Sequence, residues 1–284
     1  MMEVIELPSG YQWSRALKRV AADPLLHVDF DEGRVRLPVR VERENIPVQC
    51  TVHGGKMQIV RLDDGPLAPV HEELIRILQV QTPLAQVAAH LEQTALSPIL
   101  HELRGTPLLL DSSLYGSLMR TIIHQQLNMA FAYTLSTRFV QTYGMEKDGV
   151  WFYPEPEVTA ALSVEELREL QFSRQKAEYV IGTSKRIAEG ELDLHEVIRL
   201  SRAEAMKQLQ HIRGIGRWTA ENFLMFGGGD LDLFPVQDIG IQNAVKRLKG
   251  SEQKPSYDEL EQLGAACAPF RTYAALYLWE SIEG

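Results

Sequence analysis

The chain has 284 residues, 45% of them hydrophobic and 24% charged, with two cysteines and a formal net charge of −9. That length suggests two domains. It contains no apolar run of about 18 residues to span a membrane and no basic-then-apolar leader. Two cysteines exclude a disulfide framework, a four-cysteine zinc site and a four-cysteine iron–sulfur cluster, so a reducing, cytoplasmic setting is expected. The acidic balance argues against nonspecific coating of nucleic acid but leaves room for a local basic face.

In chain order, a short helix is expected over Ser14–Ala22, ended by Asp23-Pro24. Arg34–Val41 alternates polar and apolar residues as a half-buried strand does, and Val48–Val52 and Met57–Val60 read as two more strands. Gly54-Gly55 between the last two is a hairpin signal. From about Pro69 the pattern turns helical: Leu74, Ile77 and Leu78, then Val87, His90 and Leu91, fall at helical spacing. Leu114, Leu118, Ile122 and the stretch Phe131–Val140 predict one long buried helix or two in series, followed by amphipathic helices over Val164–Leu170 and Lys176–Ala188. Strand-like alternation is scarce after residue 110. The expected class is α+β: a small N-terminal α/β domain (antiparallel sheet plus helices) at 1–100, then an all-helical region at 101–284.

The most informative stretch is Leu209 to Ala220. A helix reaches Leu209, a tight Gly214-Ile215-Gly216 turn follows, and a second helix starts near Arg217. The glycines permit positive φ and close approach of another backbone. The second helix presents free N–H groups at its start, so the turn can hold a phosphate; an ordinary helical corner would use the same glycines. About twenty residues on, Leu233-Phe234-Pro235-Val236-Gln237 leads to Asp238, and Ile241, Ala244, Val245 and Leu248 behind it form an apolar helical face. Asp238 therefore opens a helix, whose dipole favours an ionised carboxylate there. The plainer alternative is a simple N-cap.

A helix–hairpin–helix at 203–226, a Gly- and Pro-containing loop and an Asp opening the next helix together resemble the helix–hairpin–helix DNA glycosylases. Ile122-Ile123-His124-Gln125-Gln126-Leu127-Asn128 resembles the Gln-Gln loop of that family. Trp218 in the hairpin and Phe270–Trp279 near the C-terminus are similar to the 3-methyladenine glycosylase II branch, as is Tyr11-Gln12-Trp13-Ser14. The resemblance covers nearly the whole chain and implies a two-lobed helical unit with a cleft between the lobes.

It also implies an activity: monofunctional hydrolysis of the N-glycosidic bond of alkylated, 3-methyladenine-type bases in duplex DNA, by a monomer, leaving an abasic site. Glycosylases for deaminated or oxidised bases and a non-catalytic DNA-binding protein are the alternatives. Asp238 is the implied catalytic carboxylate, opposing positive charge on the sugar and orienting water. Trp218, Trp279 and Asn222 are the implied base pocket, although core packing is the alternative for both tryptophans. Gln125, Gln126 and Leu127 form the implied wedge, with Gln126 entering the gap left by an extruded nucleotide; the glutamines could instead cap neighbouring helices. Gly214, Gly216, Arg217, Trp218, Lys246 and Arg247 are the implied phosphate contacts, with Lys249 adding local charge. No catalytic cofactor is expected. A monovalent cation, Na or K, is implied on the main-chain carbonyls of Gln210, Ile212 and Ile215. Strand-cutting relatives carry a lysine where this chain has Trp218, and a Schiff base needs that amine. The chain departs from the family at four further places: Asn222 and Arg19 replace aromatics, Gly240 replaces a frequent His and Asn243 a frequent Arg, while Arg247-Leu248 matches.

Overall fold

The computed structural model describes residues 2–283. Strands β1 (Met2–Glu6), β2 (His27–Asp29), β3 (Arg34–Val41), β4 (Glu44–His53) and β5 (Lys56–Arg61) form one antiparallel sheet in the order β1-β5-β4-β3-β2. The three strands expected from sequence lie within β3, β4 and β5; β1 and the three-residue β2 extend the sheet beyond that reading. Gly54 and Gly55 both have positive φ (57° and 76°), as a tight hairpin of the β4–β5 kind requires. Alternation in β3 buries Val35, Leu37 and Val39 while Arg34, Arg36 and Arg40 stay half-exposed. Val70, Leu74 and Ile77 of helix α2 (Ala68–Ile77) join this core. Burying each such aliphatic side chain contributes about 1.5–3 kcal/mol. Helix α1 (Trp13–Ala21) lies against β2 and β3.

The core of the sheet runs from Ile5 to Val80. Helices α3 (Leu84–Leu91) and α4 (Ser97–Leu103), grouped by sequence with the N-terminal part up to residue 100, bury Leu84, Val87, Leu91, Leu100 and Leu103 in the helical core instead. The rest of the helical unit comprises α5 (Leu114–His124), α6 (Met129–Tyr143), α7 (Pro156–Ala160), α8 (Val164–Glu169), α9 (Arg174–Ala188), α10 (Leu194–Val197), α11 (Arg202–Gln210), α12 (Arg217–Phe226), α13 (Ile239–Leu248), α14 (Tyr257–Ala266) and α15 (Arg271–Glu283). One lobe gathers α5 to α12; the other packs α15 against α4, α13 and α14. None of the described helices is long and apolar enough to cross a membrane.

One element contradicts the all-helical reading of this region. Strands β6 (Met145–Lys147) and β7 (Val150–Phe152) form a two-stranded ribbon. Its Asp148-Gly149 turn has φ of 51° and 76°. That dipeptide is itself a hairpin signal, but strands of three residues are too short to show alternation. The ribbon docks on the N-terminal sheet: Lys147 Nζ donates to the Asn45 carbonyl at 3.1 Å, and Arg40 pairs with Glu155 just beyond the ribbon at 2.5 Å.

The connection from α12 to α13 is pinned by charge. Arg271 grips Asp232 with two bonds of 2.7 Å, and Arg202 grips Asp230 with bonds of 2.6 and 2.7 Å. Such two-pronged pairs fix geometry as well as adding energy. Thr272 Oγ1 donates to the Asp230 carbonyl at 2.7 Å and accepts from Leu233 N–H at 3.0 Å. The chain therefore delivers Asp238 from a braced loop.

Candidate active site

At the hairpin, Gly214 has φ of +97°, and a Cβ there would lie 2.3 Å from the Tyr179 ring, so glycine is required twice over. Gly216 differs from the sequence reading. It is the N-cap of α12 with φ of −85°, and nothing lies within 4 Å of where its Cβ would be. Its small size leaves open space in front of the helix start rather than serving a left-handed backbone. No main-chain bond from the N–H of Gly214 or Gly216 occurs among the described residues, so neither donor is committed to the backbone.

Asp238 is the N-cap of α13: its Oδ1 accepts from Ile241 N–H at 3.0 Å. It is also more than a cap. Trp218 Nε1–H donates to Oδ2 and Trp279 Nε1–H to Oδ1, each at 2.8 Å. A carboxylate is an acceptor-only group when ionised, and three N–H donors match that form. Asp193, which caps α10, takes only the N–H groups of His195 and Glu196 and is exposed. Asp238 is half-buried and lines a cleft of about 1980 Å³.

Gly240 explains one departure from the family pattern. A Cβ there would lie 2.9 Å from both Asp238 Oδ1 and Trp279 Cδ1. Any larger residue pushes the Trp279 indole off the carboxylate. Asn243 is exposed midway along the same helix.

The two indoles are half-buried and line the cleft. Trp279 leans on Phe226, ring centroids 6.0 Å apart. Asn222 is 7% exposed and also lines the cleft, but its amide is occupied, Nδ2 donating to the Trp218 carbonyl at 2.9 Å. Arg19 extends from α1 across to Glu280, the residue after Trp279, at 2.6 Å. An N-terminal helix thereby clamps the end of α15 beside the pocket.

The Gln125–Leu127 loop divides its labour. Gln125 Nε2 donates to the Gly214 carbonyl at 2.8 Å and to Thr219 Oγ1 at 2.6 Å, so it struts the loop against the hairpin. Gln126 is exposed on the cleft rim with φ of +57°, a conformation costing a non-glycine residue about 1–2 kcal/mol. Leu127 is half-buried against the helical core. Lys176 supports the loop from beneath, Nζ donating to the carbonyls of Ile122 (2.9 Å) and Gln125 (3.0 Å); burial lowers its pKa to about 8. His124 is held neutral, its pKa lowered to about 3 chiefly by burial and then by Arg120 and Lys176.

Of the remaining sequence candidates, Arg217 lies beside the cleft, its Nε donating to Glu221 Oε1 at 2.9 Å. Lys246 and Arg247 sit in the last turn of α13 and do not line the cleft; Arg247 Nη1 donates to the Ser281 carbonyl at 3.3 Å. Gln210, Ile212 and Ile215 border the cleft together, and the Ile212 carbonyl already accepts from Ile215 N–H at 3.0 Å. The cleft lining carries eight Lys or Arg against four Asp or Glu, a local positive excess in a chain of net charge −9, with Arg19, Arg40, Arg120, Arg213 and Arg217 each paired to a carboxylate.

Several lining residues went unread in the sequence: Phe226, Tyr133, Tyr153, Asp23, Asp111 and Arg120. One signal was available. Arg120 interrupts the otherwise apolar α5, and a charge on a buried helix needs a partner; that partner is Asp111, at 2.7 Å. Both cysteines are free and buried. Burial pushes the Cys50 thiol up to about 12, and burial pushes the Cys267 thiol up to about 11 against a hydrogen bond with Thr94. Neither is a nucleophile.

The sequence profile of the HhH-GPD superfamily of base excision DNA repair proteins matches residues 119–269. A Bacillus subtilis (strain 168) protein named "Putative DNA-3-methyladenine glycosylase" is 44% identical over 284 residues, 99% of both chains. The Escherichia coli (strain K12) DNA-3-methyladenine glycosylase 2 is 32% identical over 164 residues, 57% of this chain and 55% of that one. The solved 3-methyladenine DNA glycosylase of Archaeoglobus fulgidus superposes with a TM-score of 0.86 at 24% identity, over 98% of this chain and 97% of that one.

Proposed function

This chain belongs to the HhH-GPD superfamily of base excision DNA repair proteins, and on that premise we propose that it is a monofunctional DNA glycosylase. It acts as a monomer on duplex DNA, hydrolyses the N-glycosidic bond of alkylated, 3-methyladenine-type bases and leaves an abasic site. The observation that carries this reading is the Asp238 carboxylate, held by two indole N–H groups and one main-chain N–H at the edge of a positive cleft.

Each part has a physical role. The uncommitted N–H groups of Gly214 and Gly216, leading into α12, bind a backbone phosphate. Gln126 fills the gap left by the extruded nucleotide, whose unstacking costs a few kcal/mol. The base enters between the Trp218 and Trp279 faces, where a cationic ring gains about 0.5–2 kcal/mol from each indole. As the bond breaks, positive charge grows on the sugar and Asp238 opposes it, then orients the attacking water. With an indole at position 218 rather than an amine, the reaction ends at the abasic site. The hairpin carbonyls of Gln210, Ile212 and Ile215 are hard oxygen donors suited to a monovalent cation, which would add positive charge where the phosphate sits.

The test is a panel of duplexes carrying single alkylated, deaminated or oxidised bases, with the freed bases identified. Release of methylated purines ahead of the others, without a borohydride-trapped protein–DNA adduct, is the expected result. Preferential release of an oxidised base, or a trapped adduct, contradicts it.

A further inference from the structure

Behind the Trp279–Phe226 wall, the cleft ends in a group of charges with no part in holding Asp238. Arg120 Nη2 donates to Asp111 Oδ2 at 2.7 Å, and its guanidinium carbon stands 5.9 Å from the centre of the Phe226 ring. Burial opposes the Arg120 charge, but Asp111 holds it firmly protonated. Asp23, just beyond the end of α1, lines the same cleft; burial raises its pKa against the pull of Arg120, and its carboxylate accepts from Leu25 N–H at 2.9 Å. Tyr133 and Tyr153 face the same three charges. The Tyr153 hydroxyl is buried and has no hydrogen-bond partner among the described residues.

This arrangement is unusual in two respects. One arginine, paired with Asp111, shares this end of the cleft with a second carboxylate, Asp23, so with both acids ionised the group carries a net negative charge. A buried phenol left unpaired costs about 1–3 kcal/mol, and a ligand that bonds to it recovers that cost. Structural packing alone does not call for the Arg120–Asp111 pair, because a well-packed aliphatic residue in place of a buried ion pair is often as stable or more so.

We propose that Asp111, Arg120, Asp23 and the Tyr153 hydroxyl form a base-reading subsite for a purine that carries positive charge on its ring. The inference rests on the excision reading above and specifies how the lesion is chosen. The carboxylates of Asp23 and Asp111 oppose the ring charge. The Arg120 nitrogens not committed to Asp111 and the Tyr153 hydroxyl donate to ring acceptors. Neutral purines gain the donors but not the charge opposition, so the subsite separates alkylated from unmodified bases beyond what the indole faces achieve.

The experiment compares excision of 7-methylguanine, a cationic ring, with hypoxanthine, a neutral one, in the same duplex. It uses the full-length protein and its Asp23→Asn, Asp111→Asn and Tyr153→Phe variants, with thermal unfolding of each. Asp23→Asn breaks no ion pair and is expected to lower the cation-to-neutral ratio about tenfold; Asp111→Asn lowers it further. Tyr153→Phe lowers excision of both bases without loss of thermal stability. Binding of N7-methylated guanosine, read by tryptophan fluorescence, is expected to weaken in Asp23→Asn. This readout does not depend on catalysis. If the wild type frees neither base, the excision reading fails, and nucleoside binding alone then decides the subsite. An unchanged ratio in a folded Asp23→Asn variant, or unchanged nucleoside binding, overturns the proposal.

Discussion

The two walls of the cleft differ in how their polar groups are satisfied. On the wall built from α12, α13 and α15, Asp238 has three donors, Asn222 is bonded to the Trp218 carbonyl, and the loop leading in is braced by Arg202 and Arg271. On the wall of α1, α5 and the β7 ribbon, the Tyr153 hydroxyl and Arg19 Nε are buried without partners among the described residues, and Gln126 stands exposed in a strained backbone conformation. On the first wall Asp238 and Asn222, which line the cleft, are bonded without a ligand, as a group that must be in place when charge develops should be; Glu221 Oε2 and the Tyr277 hydroxyl, on α12 and α15, lack partners among the described residues but do not line the cleft. The second has unmet hydrogen-bonding capacity, as a surface that reads a ligand should have.

Removing both indole donors, in Trp218→Phe with Trp279→Phe, attacks the first wall at its centre. Excision is expected to fall by about 10²–10³ in single-turnover assays. Gly240→Ala is the gentler form of the same test. Its Cβ meets Asp238 and Trp279 at 2.9 Å, and an overpacked contact of that kind costs about 1–3 kcal/mol. A rate loss of about tenfold or more is expected, because 1.4 kcal/mol of barrier is a factor of ten. A fully active Gly240→Ala enzyme would show that the indole contact does not matter. On the open wall, Gln126→Gly should separate stability from function: relief of the left-handed backbone raises unfolding free energy by about 0.5–1 kcal/mol, while excision drops several-fold from the lost wedge.

The smallest effect on activity comes from His124. Its folded-state pKa of about 3 lies below its ordinary 6.5, so the unfolded chain binds the extra proton between those values. Stability is therefore full above about pH 6.5 and is lost as pH falls toward 3, by at most about 1.4 kcal/mol per pH unit from this group. His124→Gln should flatten that acid limb in denaturant titrations at pH 4 and pH 7.

These contrasts also mark what the sequence could tell. Helical periodicity and the Gly54-Gly55 turn located most elements, because each rests on local spacing or local φ. The Asp238 cap was legible for the same reason, since its Ile241 partner is three residues away. The indole bonds join positions 20 and 41 residues away, and only the resemblance placed those tryptophans near the site. Nothing local shows that Gly240 makes room for a ring from another helix, or that Gln125 is a strut rather than a wedge. Helices α3 and α4 pack into the helical core, which their apolar stripes could not show, because a stripe does not reveal which neighbour it faces. Lys246 and Arg247, phosphate contacts implied by the resemblance, sit in the last turn of α13 and do not line the cleft.

The central claim is that the ionised Asp238 carboxylate promotes cleavage of the glycosidic bond rather than merely capping α13. Single-turnover release of 7-methylguanine by wild type and Asp238→Asn, with affinity for abasic duplex measured alongside, tests it most directly. The account predicts a rate loss of about 10³ or more with affinity within a few-fold of wild type. A variant that binds and excises at near wild-type rates would reduce Asp238 to a helix cap and contradict the account.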